Sequence, residues 1–344
     1  MNTVPLRRPL SMSGVWLGTL ALTFTCCLGD ETNWGKWGRH DELGTLNYIT
    51  PQCIVEAARL VRSGRTYSLA APLGNGPLAV DPAFLLVMMQ TGQGAKTHPE
   101  KPLWLMDWMA LPLQGTTHWS GLGSVFGGGK IYNGYDAEAS VTPLGALKNG
   151  IQTLRNKVVG RGVLLDIARL KETDILAPGY IITPDDLEAA ARNQNVEIRS
   201  GDIILIRTGW IRTFFPGVTP GAVKGVAALM GRREKLQGSQ PGIGWAATQW
   251  LKAQRTAAVA LDNFHGEVVP PEAEGTRRIG FPDFDKPVNY ELIRNQGMII
   301  GKLFQLDGLA AACARDGVYE FMFAAAPLNI PFATGSPINP QAIK

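Results

Sequence analysis

The sequence predicts a single α/β domain with a substantial mixed sheet, preceded by a short N-terminal extension. Short apolar runs alternate with amphipathic helical segments, a pattern typical of a sheet flanked by helices. The 344 residues are 45% hydrophobic, enough to bury a large core, and 40 Gly and 23 Pro favour a turn-rich body over a helical bundle. No long linker interrupts residues 33–344, so we expect one domain there.

Two Thr-Pro pairs predict helix starts. Thr50-Pro51 places a capping hydroxyl before a proline at the first helical position, and apolar residues then recur at helical spacing until Gly64, which can end the helix. Thr183-Pro184 repeats the arrangement, with acidic residues in the first turn. A third helix is expected over Ile243–Ala253.

Four apolar runs predict strands, several of them buried on both faces, because they are short and continuous. They are Val163–Ile167, Ile203–Arg207, Ala257–Leu261 and Val318–Ala325.

Residues 1–30 differ in composition from the rest of the chain. Arg7-Arg8 precede an apolar stretch over 14–29, which suits a signal peptide and is too short for a stable membrane span. The alternative is an N-terminal extension ahead of a cytosolic enzyme. We therefore expect export if the segment is a signal peptide and a cytoplasmic protein otherwise. Of the four cysteines, Cys53 and Cys313 lie outside this segment, and we expect both to be buried free thiols.

The charge pattern excludes one class of partner. The formal net charge is only +4, no run of Lys or Arg occurs, and no nucleic-acid motif is present. We expect a small-molecule substrate and no nucleic-acid partner.

The segment Gln114–Phe126 contains the most informative motif, Gln-Gly-Thr-Thr-His-Trp-Ser-Gly-Leu-Gly-Ser. It resembles the signature His-x-Gly-Thr-His-x-Asp-x-x-x-His of the cyclase superfamily, in particular the long-form, kynurenine formamidase-like members. Further segments resemble the family in order and spacing. They are Leu43–Pro51, Gly160–Asp166, Ser200–Trp210, Leu261–Pro270 and Gly335–Pro340.

The resemblance implies the swivelling β/β/α fold of the cyclase family over residues 33–344. It also implies a homodimer or homotetramer with sites near the subunit contacts.

The same resemblance implies metal ligands at positions that this chain has largely replaced. His118 is the one position that keeps a conventional nitrogen ligand. The replaced positions are Gln114, Ser120, Ser124, Asn289 and Lys302.

Zinc and manganese need several anionic or imidazole donors, and an ammonium group repels a divalent cation. We therefore predict no tightly bound catalytic metal and no other cofactor. Lys302 could supply positive charge in place of the metal, and a buried lysine needs a partner or a lowered pKa. Glu267 is the expected partner.

Candidate site residues follow from these positions. The predicted catalytic residues are His118, Glu267, Lys302 and His265. The predicted substrate-binding residues are Gln114, Thr117, Trp119, Ser120, Ser124, Tyr132 and Asn289. His118 suits acid/base catalysis because an ordinary histidine titrates near working pH. The alternatives are a merely hydrogen-bonded pocket histidine at 118, a loop histidine at 265, and ordinary core packing for the aromatic residues.

Three functional hypotheses remain from the sequence. The first is a metal-independent enzyme that promotes cyclisation, dehydration or isomerisation of a polyketide-like specialised metabolite. The second is a zinc- or manganese-dependent amide or lactone hydrolase whose ligands are His118, His265, Glu267 and Asp262. The third is a non-catalytic protein that binds a small molecule.

Overall fold

The computed structural model describes Met1 and residues 32–72, 84–89, 91–97, 99–102, 104–214, 238–272 and 287–344. The N-terminal segment expected to be a signal peptide or extension lies outside the described residues, apart from Met1. Residues 32–344 form one compact unit.

The described strands are mostly short. They are β1 (Thr66–Ser68), β2 (Leu85–Met88), β3 (Asp107–Ala110), β4 (His118–Ser120), β5 (Val141–Thr142), β6 (Gly145–Ala146), β7 (Val159–Asp166), β8 (Ile181–Ile182), β9 (Ile203–Arg207), β10 (Gly242–Ile243), β11 (Ala258–Leu261), β12 (Ile299–Lys302), β13 (Glu320–Ala324), β14 (Gly335–Pro337) and β15 (Gln341–Ile343).

The described α-helices are α1 (Pro51–Ala58), α2 (Gly94–Thr97), α3 (Ala137–Ser140), α4 (Ile167–Leu170), α5 (Pro184–Asn193), α6 (Trp245–Ala253) and α7 (Asp307–Asp316). A π-helix spans Tyr290–Gln296, and short 3-10 helices span Gly44–Tyr48, Tyr132–Gly134, Ile151–Leu154 and Trp210–Thr213.

A nine-stranded mixed sheet dominates the described chain, in the order β1-β15-β13-β7-β9-β11-β12-β4-β14. The four central strands β7, β9, β11 and β12 are parallel, and the flanking strands pair antiparallel. Every residue of β9 and β11 is buried. The predicted α/β class with a large mixed sheet is therefore confirmed. Three of the four predicted apolar runs supply the central strands β7, β9 and β11, whereas Val318–Ala325 supplies the flanking strand β13, in which buried and half-buried residues alternate.

The helix starts are confirmed and one helix end is not. The Thr50 hydroxyl accepts a hydrogen bond from the Cys53 backbone N–H, and Thr183 forms a reciprocal capping box with Asp186. Helix α1 ends at Ala58 instead of continuing to Gly64, because the next residues close tighter three-residue turns. Helix α6 starts at Trp245, since Gly242–Ile243 pairs with β8.

Strands β2 and β3 form a separate antiparallel hairpin, here called the apolar arm, over the described residues of 84–110. Ten large apolar side chains on it are between 37% and 78% exposed. They are Leu85, Leu86, Val87, Met88, Met89, Trp104, Leu105, Met106, Trp108 and Met109. A hairpin with apolar side chains on both faces has no core of its own.

Both cysteines of the described chain are free thiols, and Cys313 is buried while Cys53 is partly exposed. None of the described helices combines the length and the apolar character needed to span a bilayer.

Candidate active site

Strand β4 separates polar and apolar side chains by simple alternation. His118 and Ser120 point to one face of the sheet and Trp119 points to the other, as the two-residue period of a strand requires. The Trp119 indole N–H donates to the Ala325 carbonyl at 2.8 Å, and its ring packs 5.5 Å from that of Phe304. Trp119 therefore lies in the core, and packing accounts for its position without the substrate contact that the sequence suggested.

The pairing of β4 places Lys302 beside His118. Strand β4 lies between β12 and β14, with His118 opposite Lys302 on one side and Pro337 on the other. Directly opposed residues on antiparallel strands have Cβ atoms about 5 Å apart on the same face. Lys302 is also the last residue of β12, at the carboxyl edge of the parallel strands, where α/β proteins commonly build their sites.

The His118 ring is held in one tautomer. Its Nδ1 lies 2.7 Å from the Thr116 carbonyl oxygen, which can only accept, so Nδ1 carries the proton. The unprotonated Nε2 lies 3.4 Å from the Ser120 hydroxyl. Burial, reinforced by the positive charge of Lys302, lowers the pKa of His118 to about 3. The expectation that His118 titrates near working pH is therefore corrected: the buried ring stays neutral and presents an acceptor.

Lys302 is partly buried, and its ammonium group forms no hydrogen bond or salt bridge within the described part of the chain. Its aliphatic stem runs along Gly266, where an added Cβ would lie 3.5 Å from Lys302 Cε. Burial lowers the pKa of Lys302 to about 8, against the opposing attraction of Glu267. The chain therefore holds a cation beside a neutral imidazole.

Glu267 is fixed by its neighbours. One carboxylate oxygen accepts from the Val288 backbone N–H at 2.7 Å, and the other accepts from the Asn289 side-chain amide. The same amide donates to the His265 carbonyl at 3.0 Å. Burial raises the pKa of Glu267, while Lys302 and these hydrogen bonds oppose the rise. We call His118, Ser120, Glu267, Asn289 and Lys302 the Lys302 cluster.

Two buried polar atoms at this cluster lack hydrogen-bond partners among the described residues. They are the Thr116 hydroxyl and the Asn289 side-chain carbonyl oxygen. An unsatisfied buried polar atom costs about 1–3 kcal/mol. We expect a water molecule or a polar group of a ligand to bind these atoms.

Three other predicted binding residues are held in structural hydrogen bonds. The Thr117 hydroxyl donates to the Leu303 carbonyl at 2.5 Å and accepts from the Ala71 N–H at 2.8 Å. The Ser124 hydroxyl donates to the carbonyl of Gly121, within its own turn, at 2.6 Å. The buried Tyr132 hydroxyl donates to the Asp41 carboxylate at 2.8 Å. The structure does not bring these three side chains into the Lys302 cluster.

Gln114 and His265 lie at its border. Gln114 packs against Gly335, the β14 residue opposite Ser120. Its amide nitrogen lies 2.6 Å from the point that a Cβ on Gly335 would occupy. His265 contributes its backbone carbonyl to Asn289, and its ring packs edge-on against Phe264 at 5.1 Å. The catalytic role expected for the His265 ring stays a prediction.

The donor set does not fit zinc or manganese. No three His, Cys, Asp or Glu side chains of the described residues are close enough together to hold a metal ion. Asp262, a ligand in the hydrolase hypothesis, accepts from the Thr208 N–H at 2.9 Å, the Thr208 hydroxyl at 2.5 Å and the Gly209 N–H at 2.7 Å. Its carboxylate thus ties β11 to β9. Glu267 is likewise engaged, and an ammonium group lies beside His118.

Three contributors to the site could not be identified from sequence motifs. The Thr116 carbonyl selects the His118 tautomer, and the Val288 N–H holds Glu267. Backbone groups carry no residue-type signal. Gly266, with φ of 77°, leaves room for the Lys302 stem, and only its glycine identity could have indicated it.

Comparison with known proteins identifies the class of α/β proteins that shares this mixed sheet. The model of a family described as putative cyclases matches residues 32–268. The protein in a crystal structure of a novel cyclase is 39% identical in sequence to this chain. The match covers 91% of this chain and 97% of that protein's chain, and the two structures superpose with a TM-score of 0.79. The chain belongs to the cyclase family.

More distant structures share the fold. An isatin hydrolase bound to the product analogue thioisatinate is 17% identical, with a TM-score of 0.55 over 86% of this chain and 98% of its own. Isatin hydrolase A from Ralstonia solanacearum is 16% identical, with a TM-score of 0.53 over 81% and 91%. No curated protein sequence matches significantly.

Proposed function

We propose that this protein is a metal-independent enzyme that promotes cyclisation, dehydration or isomerisation of a polyketide-like intermediate by acid/base catalysis and positioning. The observation that supports this most strongly is the register of β12 and β4, which places the Lys302 ammonium beside the neutral His118 imidazole. A fixed cation at this point stabilises negative charge that develops on a substrate carbonyl oxygen.

Each member of the Lys302 cluster has a chemical role in this proposal. Lys302 binds the substrate carbonyl oxygen and, with a pKa of about 8, can donate a proton near neutral pH. Glu267, whose pKa is raised by burial, accepts the proton from the carbon next to the carbonyl. His118 accepts a hydrogen bond at Nε2 and orients a substrate hydroxyl. None of these steps needs an activated water molecule.

A polyketide-like substrate is the class that this set of groups suits. Its alternating carbonyls have acidic carbon–hydrogen bonds, so one cation and one carboxylate suffice to form an enolate. The same two groups can move the protons that accompany loss of water.

A metal-dependent amide or lactone hydrolase is the second candidate. Two observations favour it: the fold is shared with isatin hydrolases, and the unprotonated Nε2 of His118 is the form that binds a metal. The ligands would have to include residues outside the described chain.

Elemental analysis of protein purified without a histidine tag or chelator separates the two candidates. We expect less than about a tenth of an equivalent of zinc or manganese per chain, because the ammonium repels a divalent cation. About one equivalent per chain, with activity lost on chelation, would establish the hydrolase instead.

Turnover is tested with linear poly-β-keto N-acetylcysteamine thioesters and mass-spectrometric detection of cyclised or dehydrated products. His118→Ala and Lys302→Met should lose turnover, whereas Lys171→Met should keep it. Lys171 is the matched control because its ammonium pairs with Asp186 at 2.6 Å, outside the cluster. Binding of these probes without turnover would favour a non-catalytic binding protein.

We also propose that the chain assembles as a homodimer or homotetramer through the apolar arm. Ten exposed large apolar side chains lie on this one hairpin, and contiguous apolar patches of more than a few hundred Å² mark protein–protein contacts. A stable interface takes about 800 Å² from each partner. A second copy of the arm supplies a matching apolar surface.

Sedimentation velocity tests the assembly. Val87 and Trp108 are opposed on the arm, and Trp108→Glu should dissociate the oligomer into monomers. Leu144→Lys, which changes an equally apolar residue that is 85% exposed elsewhere, should leave it assembled. A wild-type protein that sediments as a 37.1 kDa monomer at micromolar concentration would refute the assembly.

A further inference from the structure

Lys302 differs from three other lysines of the described chain whose ammonium groups are hydrogen-bonded. Lys171 pairs with Asp186 at 2.6 Å, Lys344 with Asp316 at 2.7 Å, and Lys36 donates to the Tyr48 hydroxyl at 2.6 Å. Lys302 is partly buried and has no such bond among the described residues. Nothing in the described part of the chain therefore blocks the lone pair that its amine exposes when it loses a proton.

The groups around Lys302 can assist a reaction at its amine. His118 Nε2 and the Ser120 hydroxyl lie on the same face of the sheet, and Glu267 interacts with Lys302 electrostatically. Glu267 is the described charged group that acts on Lys302, which places a carboxyl group within electrostatic reach of the amine. A nucleophile, a proton donor and two hydrogen-bonding groups are thus assembled at one point.

We propose that Lys302 is a covalent catalytic residue whose amine forms an imine with a ketone carbon of the substrate, which places the substrate among compounds with at least two keto groups. This inference rests on the proposed function, because a metal at His118 would exclude a free amine there.

The chemistry balances without an oxidant or another reactant. The neutral amine attacks the carbonyl carbon, and proton transfer gives a carbinolamine. Protonated Glu267 gives its proton to the carbinolamine hydroxyl, which leaves as water, and the nitrogen lone pair forms the carbon–nitrogen double bond of the iminium. The amine becomes neutral by giving its proton to the Glu267 carboxylate, and this is the proton that the departing hydroxyl receives.

The iminium then activates the neighbouring carbon. The Glu267 carboxylate removes a proton from that carbon, and the resulting enamine attacks the second keto group of the same molecule to close a ring. Glu267 returns its proton to the alkoxide oxygen formed in this step, and the iminium is regenerated. Addition of water to the iminium releases the cyclic product and restores the amine. The cyclisation assigned above thereby acquires a nucleophilic route.

Acetylacetone, the smallest β-diketone, is the probe for this amine. We expect the native protein to form an enaminone, seen as new near-ultraviolet absorbance and as a mass gain of one acetylacetone less one water on the peptide carrying Lys302. The labelling rate should rise with pH as the free amine forms.

Two variants and one control define the site of labelling. Lys302→Arg and Lys302→Met should lose the adduct while remaining folded by circular dichroism. Lys171→Arg should label at Lys302 like the wild type, because its ammonium is held by Asp186. Labelling of Lys302 no faster than of Lys171 in the native protein would overturn the inference.

Turnover and metal content distinguish a failure of the imine from a failure of the proposed metal-independent function. If metal-free protein cyclises a poly-β-keto thioester but borohydride traps no substrate on Lys302, and Lys302→Arg keeps turnover, the imine is refuted and the acid/base function stands. If the protein holds an equivalent of metal, the proposed function itself is refuted.

Discussion

Two charged clusters lie at the carboxyl edge of the parallel strands, and they are built in opposite ways. Arg207, the last residue of β9, bonds Asp166 at 2.9 Å and Asp307 at 2.8 Å. Lys302, the last residue of β12, has no such partner in the described chain, and burial lowers its pKa. The first arrangement neutralises its charge and joins elements of the fold. The second keeps a charge that no salt bridge among the described residues neutralises.

Breaking the paired cluster should have the largest effect on stability. Asp166→Ala leaves the buried Arg207 without the more deeply buried of its two carboxylate partners, and removing one partner of a buried pair costs about 3–5 kcal/mol. We expect a matching loss in the free energy of unfolding in urea. Lys302→Met, the matched change in the other cluster, should cost far less because it removes an unpaired buried charge. Equal losses in both variants would remove the distinction between the clusters.

The pH dependence of stability should identify the unpaired charge. The pKa of Lys302 is about 8 in the folded chain, against 10.5 ordinarily, so between these values the unfolded state binds more protons. Stability of the wild type should therefore rise relative to Lys302→Met from pH 8 to 10.5. The rise is up to about 3 kcal/mol, since one pKa unit is worth about 1.4 kcal/mol. A constant difference between the two proteins across this range would contradict the lowered pKa.

The neutral state of His118 gives a prediction in the acidic range. With a pKa of about 3, the His118 ring should keep its neutral NMR shifts between pH 5 and 8 in the folded protein. In urea the same ring should titrate near its ordinary 6.5. Its signal is assigned by its absence in His118→Asn. Titration of the folded ring near pH 6.5 would show that the site is wetter and less positive than the structure indicates.

The smallest expected effects come from two serine hydroxyls, that of Ser120 in the Lys302 cluster and that of Ser124 in a turn. Ser120→Ala removes a 3.4 Å contact with His118, and Ser124→Ala removes a 2.6 Å bond within a turn. Each should cost about 1 kcal/mol or less in stability. Only Ser120→Ala should alter the rate of acetylacetone labelling at Lys302. Identical labelling in both variants would place Ser120 outside the functional cluster.

The central strands and the helix starts were predictable because they depend on local patterns. Ile203–Arg207 is a continuous apolar run ending in a charge, and Thr183-Pro184 carries its own capping chemistry. The adjacency of β12 to β4 was not predictable, because it joins residues about 180 positions apart and depends on the whole sheet order.

The chemistry of the site was predictable only in part. The charge of Lys302 followed from its residue type at a motif position, and Glu267, the partner expected for it, acts on it electrostatically without a salt bridge among the described residues. The low pKa of His118 did not, since it is set by burial and by a neighbouring cation. Thr117, Trp119 and Tyr132 resembled pocket residues in the sequence, yet their hydrogen bonds and packing serve the core.

The alternation along β4 has a consequence for how such a protein changes over time. Trp119 anchors the strand in the core, whereas residues 118 and 120 face away from that anchor. Substitutions at positions 118 and 120 can therefore change the chemistry of the site while Trp119 keeps the strand packed against the core. Proteins that share this strand can acquire new reactions by single amino-acid changes, so family membership indicates their fold far better than their substrate.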